Sequence, residues 1–165
     1  LISYLCPFKI QKKILDKIKI ASINFHPGPP KYPGIGCFNY AIFNQDKSYG
    51  VTCHFMSEKI DNGRIIKVKN FNLSKNETVR TISNKSYKNM YFLFKYIFNK
   101  IKKRKILEEK NYSRWSKKNY SKKKFKQFLN YKFENEKLER YLRSTVYLNY
   151  PSPNIYVGKY ELQKK

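Results

Sequence analysis

Apolar positions along the chain recur with two different periods, and the places where the period changes mark the elements. Residues 1–5 form a short apolar run that ends at Cys6-Pro7, the pattern of a buried strand. Pro7 suits the first turn of a helix, where its missing N–H is not needed. Ile10, Ile14, Leu15 and Ile18 then follow at helical spacing with Lys and Gln between them, which predicts an amphipathic helix. Residues 19–25, carrying Ile20, Ala21 and Ile23, predict a second strand. A helix between two apolar strands reads as a βαβ unit with parallel pairing. Residues 26–36 hold four prolines and three glycines and predict a loop. A short helix is predicted over 37–44, and strands over 51–56 and 64–71. Asn76-Glu77-Thr78 opens the longest helical pattern, with Val79, Ile82, Tyr87, Met90, Phe94, Ile97 and Ile101 as its apolar side. Residues 100–105 close it with positive charge, as suits a helix C-terminus. Beyond Leu107, Lys and Tyr dominate as far as Lys124. Helices are predicted over 125–131 and 134–143, and short extended pieces over 147–160, broken by Pro151 and Pro153. No internal repeat is visible.

The chain of 165 residues accommodates one domain, or one domain with a tail, at ~100–200 residues per domain. The change of character sets the division at 1–104 and 105–165. Hydrophobic residues at 41% and aromatics at 17% exclude a disordered chain. No run approaches the ~18–20 apolar residues of a membrane span, and no signal-peptide pattern opens the chain. The three cysteines, Cys6, Cys37 and Cys53, are an odd number without metal-like spacing. They read as reduced thiols in a cytoplasm, Cys37 and Cys53 as small core residues. The formal net charge is +25. Clustered Lys and Arg recruit nucleic acid through counterion release. Lysine heavily outnumbers arginine, however, and Asn, Ile, Tyr and Phe are also abundant, so an AT-rich genome accounts for the same bias. The segment around Trp115, Tyr120 and Phe125 carries the same two readings. It either binds a single strand or tRNA by stacking and charge, or wraps the core with its aromatics buried and its lysines solvated.

Candidate chemistry concentrates between Asn24 and Asp61. Asn24 and His26 sit at the C-terminal end of a predicted parallel strand, where open α/β sheets place their ligands. Positions two apart in a strand face the same side, so the amide and the imidazole point into one cleft. Asp61 follows the next apolar strand in a loop beside Gly63. Each of the three, taken alone, is an ordinary turn residue. His54, inside a predicted strand and without a motif, reads as a packed or surface histidine.

The pattern resembles the formyltransferase fold family, which includes glycinamide ribonucleotide, methionyl-tRNA and sugar-amine formyltransferases. Their Asn-x-His-Pro motif is matched by Asn24, His26 and Pro27, and their [LIV]-Asp-x-Gly turn by Ile60-Asp61-Asn62-Gly63, at a similar separation and with Lys31-Tyr32-Pro33-Gly34 between. The resemblance covers roughly residues 1 to 100. It implies an α/β fold, a mostly parallel Rossmann-like sheet with an α-rich basic C-terminal extension. It also implies transfer of a formyl group from 10-formyltetrahydrofolate, as co-substrate, to a primary amine. Asn24 and His26 would then donate hydrogen bonds to the developing oxyanion, and Asp61 would hold His26 and relay protons. Neither a covalent intermediate nor a metal is implied. The folate would lie against Leu5, Cys6, Pro7 and Phe8 and against Met56, Glu58 and Ile60.

The Pro-Gly-Pro-Pro wording is closest to bacterial formyltransferase-like proteins, which favours a nucleotide-linked amino sugar as acceptor, with methionyl-tRNA second. A different class is an inactive truncated core that binds nucleic acid. Oligomeric state is left open. Catalytic domains of the family begin upstream of the strand at Leu1. The resemblance therefore implies that an N-terminal part is missing, that the amine pocket is incomplete and that one sheet edge is exposed. Residues 143–147 (Arg-Ser-Thr-Val-Tyr) resemble the family's Arg-Ala-x-x-Tyr/Phe stretch, with Ser144 in place of the alanine.

Overall fold

The computed structural model describes residues 1–104, 107, 114–118, 120–130, 137–147, 153, 155–157 and 160–162. A four-stranded mixed sheet organises them. Strands β1 (Ile2–Tyr4) and β2 (Ile23–His26) run parallel and are joined through a one-turn helix, α1 (Lys12–Leu15). After α2 (Cys37–Phe43), strands β3 (Ser48–Phe55) and β4 (Ile65–Asn72) extend the sheet in the order β1-β2-β3-β4, both pairings antiparallel. Helix α3 (Val79–Lys102) follows, then α4 (Lys122–Leu129), α5 (Leu138–Thr145) and an antiparallel pair, β5 (Ile155–Val157) and β6 (Tyr160–Leu162). The α/β class and the first βαβ unit are as the pattern predicts. The expectation of mostly parallel strands holds for β1 and β2 but not for the β3–β4 pair. Only residues 56–64 connect those two strands, and a parallel crossover needs about a dozen or more.

Strand β2 shows why the fold builds a site. Ile23 and Phe25 point to one face, where they join Val51, Cys53 and Ile66 beneath Met90, Leu93 and Ile97 of α3. Asn24 and His26 point to the other face, opposite His54 and Thr52 of β3. Both faces of the strand are thus covered, one by hydrocarbon and one by polar groups bonded to each other. Each fully buried Leu, Ile or Met on the α3 side contributes roughly 1.5–3 kcal/mol. A second cluster, of Tyr32, Cys37, Ala41, Ile42, Tyr49, Val79 and Ile82, fills the space between α2 and α3.

The predicted helix from Pro7 shrinks to the single turn of α1, whose stripe of Ile10, Leu15 and Ile18 is only partly buried. Ile14 is exposed, and Ile20, expected in the second strand, is 99% exposed. Strand β2 accordingly begins only at Ile23, and β1 pairs on one side alone. On α3 the buried stripe runs through Val79, Ile82, Ser86, Met90, Leu93 and Ile97, while Tyr87 and Ile101, expected inside, lie at the surface. Two serines, Ser83 and Ser86, are also buried on this helix. Helix α4 starts three residues earlier than predicted, because the Ser121 side chain accepts the Lys124 N–H. No helix among the described residues is long and apolar enough to cross a membrane.

The start of α3 is the most heavily bonded corner of the fold. Thr78 and Thr81 form a reciprocal capping box. Glu77, nearly buried, accepts from the Ser74 N–H and hydroxyl, from the Thr81 hydroxyl and from Lys85. Burial pushes its carboxyl up, but the Lys85 ammonium and the hydroxyl donors overcome this and bring it to about 2. Arg143 of α5 donates to the Lys75 and Glu77 carbonyls, and Asn39 of α2 donates to the Ser144 carbonyl at 2.5 Å. The 143–147 stretch is therefore a clasp across two helices. Glu77→Gln is expected to cost about 1–2 kcal/mol after discounting the half-exposed Lys85 end of the pair, as urea denaturation at pH 7 would measure. Because the folded carboxyl is depressed, this stabilisation is present above about pH 4.5 and disappears as the pH falls towards 2. The variant and the native chain should therefore converge in acid.

Candidate functional site

Four side chains from three segments meet on the polar face of β2 and β3. Asn24 and His54 are direct cross-strand partners, and the Asn24 Nδ2 donates to His54 Nε2 at 3.1 Å. His54 Nδ1 lies 2.7 Å from the Phe55 carbonyl, which can only accept, so Nδ1 carries a proton. When neutral, His54 is thereby fixed with Nε2 free to take a proton. Asp61 enters from the turn after β3, its backbone in the left-handed region at φ 44°. Its Oδ1 is 3.3 Å from His54 Nε2 and its Oδ2 is 3.2 Å from His26 Nδ1. All three side chains are 3–5% exposed.

The proline- and glycine-rich loop supplies backbone groups to this cluster. Gly34, at φ 91°, donates its N–H to Asp61 Oδ2 at 2.9 Å. A side chain at that position would be strained. The Tyr32 carbonyl faces His26 Nε2 at 3.0 Å, and Thr52 Oγ1 donates to the Gly28 carbonyl at 2.8 Å, tying the loop to β3. Burial raises the Asp61 carboxyl, but the His54 hydrogen bond, the charge of His26 and the Gly34 N–H hold it below the ordinary carboxylate value. Burial also pulls His26 below the ordinary imidazole value, against the pull of Asp61 and the Tyr32 carbonyl. Asp61 is an anion at neutral pH, shared between two imidazoles.

A cleft of about 240 Å³ opens in front of the cluster. Asn24, His54 and Asp61 form part of its floor, and Cys6, Pro7, Phe8, Met56, Glu58 and Ile60 are among its walls. Phe8 and Ile60 are 80% and 64% exposed, large apolar side chains left standing at the rim. Of the residues expected along a bound folate, Leu5 alone is off the wall. Its φ of 53° turns the chain so that Cys6-Pro7-Phe8 face the cleft instead. His26 does not line the cleft. It sits behind Asp61, with Nδ1 3.2 Å from the carboxylate and Nε2 3.0 Å from the Tyr32 carbonyl. His54, expected as a packed or surface histidine, is packed and is on the floor. The signal for it was its register, since it stands opposite Asn24 as soon as β2 and β3 pair. Tyr32 and Gly34 act through backbone groups, which residue type does not advertise.

Gly63 shows how tightly the Asp61 turn is held. A Cβ there would lie 1.8 Å from the Phe55 carbonyl oxygen, a backbone atom that cannot step aside. Gly63→Ala is expected to destabilise the fold by about 1–3 kcal/mol or more, and to displace Asp61 from both histidines. Denaturant unfolding would measure the first effect, and the histidine NMR signals the second.

Known proteins carry the same arrangement of elements. The family model described as Formyl transferase matches residues 9–93, a span containing Asn24, His26, His54 and Asp61. Methionyl-tRNA formyltransferase of Mycoplasmopsis pulmonis (strain UAB CTIP) is 39% identical over 69 residues, which are 41% of this chain and 24% of that protein. The crystal structure of a 4-N formyltransferase from Francisella tularensis superposes with a TM-score of 0.83 at 21% identity, over 99% of this chain and 68% of that one. An N-formyltransferase from Helicobacter canadensis, solved with folinic acid and dTDP-3-aminofucose, gives 0.76 at 22% identity, over 96% of this chain and 58% of that one. At these identities the superpositions establish the fold. The chain spans about a quarter of the length of the methionyl-tRNA formyltransferases it matches. With just over half of its residues inside the family model and both motifs converging on one buried carboxylate, the chain belongs to the formyl transferase family.

Proposed function

We propose that the chain carries the chemical step of a formyltransferase, moving a formyl group from 10-formyltetrahydrofolate to the primary amine of a nucleotide-linked amino sugar. The observation that supports this most directly is the convergence of an amide donor, an ionised carboxylate and an imidazole proton site on one cleft floor. Residues 1–104 form the catalytic part in this reading, and 105–165 an extension that braces it.

The folate supplies the formyl carbon, and Cys6, Pro7, Phe8, Met56, Glu58 and Ile60 would hold its ring end. The cleft is smaller than the ~300–1,000 Å³ typical of whole ligand sites. It suits a flat bicyclic head, with the rest of the molecule over the exposed Phe8 and Ile60. Asn24 uses one amide N–H on His54 and keeps the second for a carbonyl oxygen that gains negative charge as an amine attacks. Asp61, ionised, accepts the proton that the amine must lose, directly or through a water. His54 offers Nε2 beside Asp61 Oδ1 as the next proton site, from which the leaving nitrogen is reprotonated. His26 and the Gly34 N–H occupy Asp61 Oδ2, so that Oδ1 stays at the cleft.

The amino-sugar acceptor is supported by the fold likeness to the Helicobacter canadensis enzyme solved with dTDP-3-aminofucose. Methionyl-tRNA is the second reading, supported by the name of the sequence relatives. The test offers the chain 10-formyltetrahydrofolate with a dTDP-linked amino sugar or with methionyl-tRNA and detects the formylated product by mass. Formylated sugar is the expected result. Formylated tRNA alone would transfer the assignment to the second reading. Transfer to neither, with salt-sensitive binding of nucleic acid, would replace both by a binding module.

A further inference from the structure

We propose that Trp115, contributed by the C-terminal extension, is a positioning residue for the His26–Asp61–His54 cluster. Its indole Nε1–H donates to the Gly63 carbonyl at 2.7 Å, across 52 residues of sequence. Its ring lies edge-to-face with both imidazoles, at a centroid distance of 5.0 Å from His54 and 5.8 Å from His26. One half-buried side chain thus touches both histidines and ties down the turn that carries the carboxylate.

The segment around it is laced to the same loop that holds His26 and Asp61. The Ser116 N–H donates to the Pro30 carbonyl at 2.8 Å, and the Tyr120 carbonyl accepts from the Ile35 N–H at 2.8 Å beside the Gly34–Tyr120 bridge. The inner side of residues 26–36 therefore bonds the cluster, and its outer side bonds the strap. The indole N–H fixes a carbonyl two residues beyond Asp61, whose backbone sits at φ 44° and would relax if released. The indole packs against both imidazoles, and neither Trp115 nor His26 lines the cleft. The groups facing His26 are Asp61 from the turn, His54 from β3, the Tyr32 carbonyl from the loop and Trp115 from the strap, with the Cys37 thiol of α2 nearby. None of these contacts binds folate or amine, so the role of Trp115 is to hold the cluster in shape.

The consequence for turnover rests on the formyl-transfer reading, whereas the placement of protons is measured without turnover. Trp115 is the only tryptophan of the chain, so its emission reports on its neighbours. In the native chain, emission is expected to fall as the histidines charge, on the same titration curve that imidazole ¹⁵N NMR gives, and His26→Gln and His54→Gln should each reduce the change. A flat emission across that titration would overturn the proposal without any Trp115 variant having to fold. In Trp115→Leu, the His26 titration should move up towards the ordinary imidazole value as water enters. In Trp115→Phe, which keeps the ring and lacks the N–H, the move should be smaller. Folinic acid should bind both variants as it binds the native chain, while kcat falls on the order of 100-fold in Trp115→Leu at unchanged KM, the size of effect that a ~1 Å misplacement produces. Unchanged histidine signals in a folded Trp115→Leu would also overturn the proposal. Absent formyl transfer in the native chain, alongside histidine signals displaced in Trp115→Leu, would instead refute the enzymatic reading and support the positioning role.

Discussion

Asp61→Asn is expected to lower formyl transfer by about 10²–10⁴-fold while leaving the fold in place, the range associated with removal of a general acid–base group. The substitution keeps the volume of a side chain that is 5% exposed, so no cavity forms. It removes what the geometry requires, a group that accepts on both oxygens. Oδ2 receives Gly34 N–H and faces His26 Nδ1, and Oδ1 faces His54 Nε2. An amide keeps one oxygen for the Gly34 N–H but is uncharged, and in place of Oδ1 it puts an N–H2 group that cannot take the proton the amine must lose. The carboxylate also opposes the effect of burial on His26. Without it the imidazole becomes harder to protonate, and His26 should titrate at a still lower pH than in the native chain. Single-turnover transfer and ¹⁵N imidazole NMR measure the two effects separately. Activity within threefold of the native chain would remove Asp61 from the mechanism, whatever the NMR showed.

How much of this was legible in the sequence depended on whether a feature is local. Asn24, His26 and Asp61 stand out in the sequence because a strand end, a proline-rich loop and an Asp-x-Gly turn are local patterns, and the structure brings the three side chains together. The start of α3 was also local, since Thr78 caps it and Glu77 braces it from the preceding residue. His54 carries no such local signal, because its place opposite Asn24 arises only when the strands pair. Nothing within β3 distinguishes it from Thr52 or Cys53 until Asn24 is placed opposite. The stripe of α3 was shifted for a similar reason. Choosing Tyr87 over Ser86 follows hydrophobicity, whereas the fold buries the serine and leaves the tyrosine at the surface. Leu5 was assigned to the cleft by continuity with Cys6 and Pro7, and a positive φ reversed it. Trp115 was seen as part of a wrapping or binding segment. Only the folded chain shows which residues it reaches.

The separation of binding from chemistry in the cleft gives Asn24→Ala its expected signature. The amide stands on the cleft floor beside His54 and Asp61, with Cys6, Pro7, Phe8, Met56, Glu58 and Ile60 around it. Its loss should lower kcat by about 10²–10³-fold, the range for deleting one donor to a developing oxyanion. Folate affinity should change little, because Cys6, Pro7, Phe8, Met56, Glu58 and Ile60 are untouched. A second effect accompanies the first. With the Asn24 N–H gone, His54 Nε2 loses the donor at 3.1 Å that orients the ring and has only Asp61 Oδ1 facing it. Asn24 therefore also holds the His54 ring in place. Asn24→Ala and His54→Gln should consequently be strongly non-additive, as expected of residues that act as a unit. The double variant should be scarcely slower than Asn24→Ala alone. Additive losses in kcat would mean that the 3.1 Å contact between them has no part in the reaction and that Asn24 acts on the formyl oxygen alone.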